Sequence, residues 1–67
     1  MNYHITLRNC KWAARKAGAK RATKLFKIKR AAITFASNIV RGQGGGWIYI
    51  HGYDGRVKIR MKVDAIS

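Results

Sequence analysis

Between positions 56 and 63 the chain alternates without a break: Arg56, Lys58, Arg60 and Lys62 are separated by Val57, Ile59, Met61 and Val63. A β-strand turns successive side chains to opposite faces, so this segment predicts a strand with one cationic face and one apolar face. The preceding run, 47–51, alternates in the same way, with Ile48 and Ile50 set between Trp47, Tyr49 and His51. Gly52-Tyr53-Asp54-Gly55 joins the two runs and ends in the Asp-Gly pair that favours tight hairpins. Burying four unpaired cations would cost several kcal/mol each. The apolar set Val57, Ile59, Met61 and Val63 is therefore expected to face the core with Ile48 and Ile50. Trp47, Tyr49 and His51 then share the other face with Arg56, Lys58, Arg60 and Lys62.

The first half follows the same period. In 1–8, Tyr3, Ile5 and Leu7 alternate with His4, Thr6 and Arg8, and Asn9-Cys10 is a short reversal. Segment 11–16 returns beside it, with Trp12 and Ala14 on the core side and Lys11, Ala13 and Arg15 outward. A basic loop, Ala17-Gly18-Ala19-Lys20-Arg21, leads to a short extended piece near Leu25-Phe26.

From 27 to 41 the period lengthens. Ile28, Ala32, Phe35, Ala36 and Ile39, flanked by Ala31 and Val40, form one side of an amphipathic helix. Arg41 and Gly42 mark its end. The following Gly42-Gln43-Gly44-Gly45-Gly46 is expected to be a flexible linker. The rival reading, a phosphate-cradling loop, lacks the Lys-Ser or Lys-Thr ending and the strand-loop-helix order of that motif. The expected architecture is α+β: a small two-layer domain, strand-strand-helix-strand-strand, with an antiparallel sheet and one helix on one face. Residues 1–67 form a single domain in this reading.

Charge sharpens the picture. Fifteen Lys and Arg stand against two acids, giving a net charge of +13, and no acid precedes Asp54. Such a chain is suited to a polyanionic partner, DNA or RNA before an acidic protein or an anionic membrane. Rings set among cations are the ingredients of a single-strand platform, in which Lys and Arg neutralise phosphates and aromatics stack on bases. The candidate binding residues are Arg8, Lys11, Arg15, Lys20, Arg21, Trp47, Tyr49, His51, Arg56, Lys58, Arg60 and Lys62. Within this set Lys20 and Arg21 form a second region with Lys16, Lys24, Lys27, Lys29 and Arg30, expected to grip backbone phosphate near the helix start. The same aromatic face also suits a homodimer, or a small, phage-like regulatory protein binding an acidic host protein.

Catalysis has little support. His4 and His51 would be neighbours if the first and third long strands pair, yet the chain has no Glu and only Asp54 and Asp64 as acids. No enzyme, cofactor or metal is expected. Cys10 is the lone cysteine, so one chain forms no disulfide. Neither a signal peptide nor an 18-residue apolar run is present, which points to a cytoplasmic protein without membrane insertion.

Tyr3-His4-Ile5, Trp12, the segment 18–22, Phe26 with Ala32-Ile33 and Ala36, Gln43-Gly44, Ile50-His51 and Asp54-Gly55-Arg56 carry a further signal. Together they resemble a small bacterial and phage family catalogued as domain of unknown function 2188. The resemblance implies a compact α+β domain with recurrent features at Trp12, Ala32, Ala36, His51, Asp54 and Gly55. It brings no catalytic residues. This helix carries no acid, where relatives often have some, so the resemblance implies that the cationic surface is a specialisation of this member.

Overall fold

The computed structural model describes residues 1–66. Its elements are β1 (Asn2–Arg8), β2 (Lys11–Lys16), β3 (Lys24–Phe26), α1 (Lys29–Gly42), β4 (Gly46–His51) and β5 (Val57–Val63). They form one five-stranded sheet in the order β3-β2-β1-β4-β5, with α1 packed on one face. The α+β class, the single helix and the two hairpins agree with expectation. Two features of the sheet do not follow the simple alternation. The extended piece near Leu25-Phe26 is a strand, pairing antiparallel with β2, and the central pair β1 and β4 runs parallel. The chain leaves β1 through β2, β3 and the helix before it returns as β4, and such a crossover allows a parallel neighbour where a tight turn does not.

The β1–β2 hairpin closes on Asn9 and Cys10, both with positive φ, at 50° and 64°. Two consecutive left-handed residues are the mark of a two-residue turn that matches the strand twist. Asn accepts this conformation readily; Cys does so at a cost.

Helix α1 begins after Ile28, which is extended and makes no side-chain cap. Ala32, Ala36 and Val40 recur every four residues and are fully buried against Tyr3, Ile5, Ala14, Ile48 and Ile50. Small side chains along that line let the helix lie close to the sheet, while Ile33, Phe35 and Ile39 pack at its flanks. The buried side is thus rotated relative to the sequence expectation: Ala31 is exposed and Ile33 takes its place, and Ile28 stays 65% exposed. The helix runs through Gly42 and stops at Gly44, whose φ is 92°. There Gln43 N–H donates to the carbonyls of Ile39 and Val40, and Gly45 N–H to Val40, satisfying the last turn.

The glycine segment is open at Gly42 and Gly44 but packed at Gly45 and Gly46. The Met1 nitrogen donates to the Gly45 carbonyl at 2.9 Å, and a Cβ on Gly46 would stand 1.7 Å from the Met1 carbonyl oxygen. Only glycine fits there. The linker expectation missed this because Met1 lies far away in sequence and arrives through the parallel pairing.

One helix does not cover five strands. Val63 is buried and Met61 partly so, but Ile59 on the edge strand β5 is 49% exposed. Val57, also expected in the core, is exposed for another reason. Ile50 pairs with Ile59 while His51 pairs with Val57, so a bulge places Val57 and Lys58 together opposite His51.

Candidate nucleic-acid interface

The sheet face away from α1 can be built from the strand registers. On β1, Tyr3 and Ile5 are buried under the helix, which turns Asn2, His4, Thr6 and Arg8 to the open side. Pairing fixes their neighbours. Asn2 lies opposite Trp47 and His4 opposite Tyr49 on one flank, and on the other His4 lies opposite Arg15 and Arg8 opposite Lys11. Across β4, Trp47 lies opposite Lys62 and Tyr49 opposite Arg60. One row therefore reads Arg15, His4, Tyr49, Arg60 across four strands. Rings occupy the middle and cations the edges.

The rings are organised. His4 stacks on Tyr49 with centroids 5.2 Å apart and planes 27° from parallel. Trp47 stands 41% exposed, its backbone N–H held by the Asn2 side-chain oxygen at 3.1 Å. His51 Nδ1 lies 2.8 Å from the Gly55 carbonyl, and His4 Nδ1 lies 3.0 Å from His51 Nε2. A carbonyl only accepts, so His51 carries its proton on Nδ1. In the neutral ring with that tautomer Nε2 is an acceptor, and His4 Nδ1–H is then the donor. The pair is a directed relay ending on a backbone carbonyl, and His4 Nε2 is left as the unengaged ring nitrogen.

Partial burial, then the His51 ring and the Arg15 guanidinium, lower the His4 pKa below its ordinary value of 6.5. Donation from Nδ1–H to His51 Nε2 is open to neutral and protonated His4 alike, so the relay places no requirement on the His4 charge. The sequence allowed that the two histidines are neighbours; the parallel β1–β4 register makes them so.

The expected binding residues divide into groups. Trp47, Tyr49, His51, Arg60, Lys62, Arg8, Lys11 and Arg15 are brought together on the open face. Arg56 lies in the hairpin turn before β5, where its N–H donates to Asp54 Oδ1 at 3.0 Å. Lys58 leaves the expected row of cations. The bulge lays its stem against Gly52, and its Nζ pairs with Asp54 Oδ2 at 3.4 Å. This is the single ion pair among the described residues. The Arg56 backbone N–H, with help from Lys58, holds the exposed Asp54 carboxyl below its ordinary pKa.

The loop after β2 departs most from expectation. Arg15 Nη1 donates to the Ala19 carbonyl at 2.7 Å, and Lys20 joins Thr6, Arg8 and Arg15 around a cavity of about 350 Å³. The loop thus rises at the β2 side of the open face. Lys20 belongs to that face and not to the helix start, whereas Arg21 is exposed. A second cavity, of about 570 Å³, lies beside it between Arg8, Asn9, Lys11, Ala22 and Leu25.

The rest of the expected second region also splits. Lys24 lies over the rings of Phe26 and Phe35 at 5.4 and 5.9 Å, and Lys29 over Trp12 at 5.5 Å. Those rings pack with the core on the helix side. Cation–π contact holds both lysines away from the open face. Asn2, His4 and Thr6 complete the face although none was among the expected binding residues; strand alternation already turned His4 and Thr6 to this side, and only the β1–β4 register reveals the role of Asn2.

No group of three or more His, Cys, Asp or Glu that would hold a metal ion occurs among the described residues, and no helix is long and apolar enough to cross a membrane. The family profile of domain of unknown function 2188, described as an uncharacterized protein conserved in bacteria, matches residues 3–62. The chain belongs to this family. The match spans β1 through nearly all of β5, and so takes in the aromatic row and most of the cationic positions. Comparison with curated proteins and with solved structures gives no match.

Proposed function

We propose that this member of domain of unknown function 2188 is a non-enzymatic, cytoplasmic nucleic-acid-binding protein. It holds single strands of DNA or RNA mainly by their phosphates, with bases stacked on the open sheet face. The observation that carries this reading is the cross-strand register, with Trp47 opposite Lys62, Tyr49 opposite Arg60 and His4 opposite Arg15. Each ring has a cation at its flank, the spacing a strand needs to place a base on one and a phosphate on the other. Base stacking contributes about 1–3 kcal/mol per ring, and the cations add affinity with little sequence preference.

Titration of labelled single- and double-stranded oligonucleotides at several salt concentrations tests the reading. Single strands should bind tightest, and Trp47→Ala or Tyr49→Ala should weaken binding about tenfold or more. Absence of binding at low salt sinks the proposal. A second reading draws on Val57 and Ile59, exposed along the free edge of β5: association with an acidic protein or a second copy of the chain. A salt-insensitive dimer in sedimentation experiments would favour it.

A further inference from the structure

The cavity bounded by Thr6, Arg8, Arg15 and Lys20 differs from the rest of the open face. Elsewhere cations alternate with rings on an open surface; here three cations and a hydroxyl converge on one concavity. Lys20 lines it from the loop at residues 17–21, which is tied to β2 by the bond from Arg15 Nη1 to the Ala19 carbonyl. A strand lying across β5, β4 and β1 therefore meets a barrier at β2.

We propose, on the basis of the nucleic-acid reading, that this cavity takes the terminal phosphomonoester of a single strand. The first base is then placed on the His4–Tyr49 stack, which begins two residues along β1 from Thr6. Three features favour a chain end over an internal linkage. A phosphomonoester carries about −1.5 to −2 charges near pH 7 against about −1 for a phosphodiester, and so suits three cations with no acid beside them. Arg15 is already immobilised by a backbone carbonyl, which lowers the entropy lost when its remaining N–H groups bind oxyanions. The raised loop stops a continuing chain at β2, whereas a terminal group needs space on one side alone. Thr6 supplies a neutral hydroxyl donor on β1, beside the base-stacking row.

The test compares one short single-stranded sequence in three forms: unphosphorylated, 5′-phosphorylated and 3′-phosphorylated. The expected result is about tenfold tighter binding of one phosphorylated form, consistent with two or more added charge-assisted hydrogen bonds. The end that gains identifies the strand's polarity on the face. Arg15→Gln should bring the ratio of phosphorylated to unphosphorylated affinity close to one. Lys20→Gln, at an exposed loop position, should do the same without threatening the fold. Trp47→Ala should weaken all forms and leave the ratio intact. Equal affinity for the three forms overturns this inference while leaving the proposed function standing. Failure of every form to bind at low salt overturns both.

Discussion

The salt dependence of binding offers the most searching test of the open face, because its size follows from the residues placed there. Arg8, Lys11, Arg15, Lys20, Arg60 and Lys62 lie on that face or line its cavity, and among the described residues none of the six pairs with an acid. For single strands, each neutralised phosphate contributes a slope of about −0.7 to the logarithm of affinity against the logarithm of salt. On an unphosphorylated strand whose phosphodiesters engage the six cations one to one, the slope is about −4, and affinity falls roughly 300-fold between about 50 and 200 mM salt. The double substitution Arg60→Gln with Lys62→Gln removes two contacts at the β5 flank. Its slope should relax to about −3 and the same salt step should cost roughly 50-fold. Fluorescence anisotropy with a labelled oligonucleotide reads both slopes directly. Lys58→Gln is the internal comparison, since Asp54 already engages that lysine, and it should change the slope least. A wild-type slope shallower than about −1, or an equal change for Lys58 and for the Arg60–Lys62 pair, would refute the reasoning that register selects the contacts.

Four further outcomes are expected. Gly46→Ala places a methyl against the Met1 carbonyl and should destabilise the fold by about 3 kcal/mol or more, seen as a lowered denaturant midpoint. Cys10→Gly should stabilise it by about 0.5–1 kcal/mol, because glycine adopts the left-handed turn conformation without steric cost although it gains freedom when unfolded. Ala36→Leu, at a fully buried position beneath the helix, should cost about 1–3 kcal/mol by overpacking. The lowered His4 pKa means that the unfolded chain binds the proton first as pH falls. Stability should hold above about pH 6.5 and decline below it until the folded pKa is passed; chemical denaturation across this range checks it, and His4→Gln should flatten the profile.

Much of this face was legible in the sequence because strands encode direction with a period of two. Burial of Ile48, Ile50, Tyr3 and Ile5 follows from that rule alone, and with it the exposure of Trp47, Tyr49 and His4. The rule fails where the backbone breaks step. Positions 56–63 alternate perfectly in sequence, yet the bulge at His51 shifts the pairing, so Val57 leaves the core side and Lys58 turns to Asp54. The three-residue β3 is too short to carry a period, and the parallel β1–β4 pair is a property of the crossover, not of either strand. The cavity was equally hidden, since it depends on a loop carbonyl meeting Arg15. The glycine run was ambiguous in isolation, because the Met1 backbone that constrains it sits 44 residues away.

The parallel seam at the middle of the sheet has a kinetic consequence. Each hairpin closes over a few residues, but Asn2 and Trp47 are 45 apart, and closing so long a loop makes this the seam with the largest entropic barrier. The aromatic row crosses that seam, with His4 on one side and Tyr49 on the other. Neither half-sheet alone presents the row, so the open aromatic face comes into existence only when this seam closes. A strand bound across both rings would act as a staple on the seam, slowing unfolding in proportion to its occupancy.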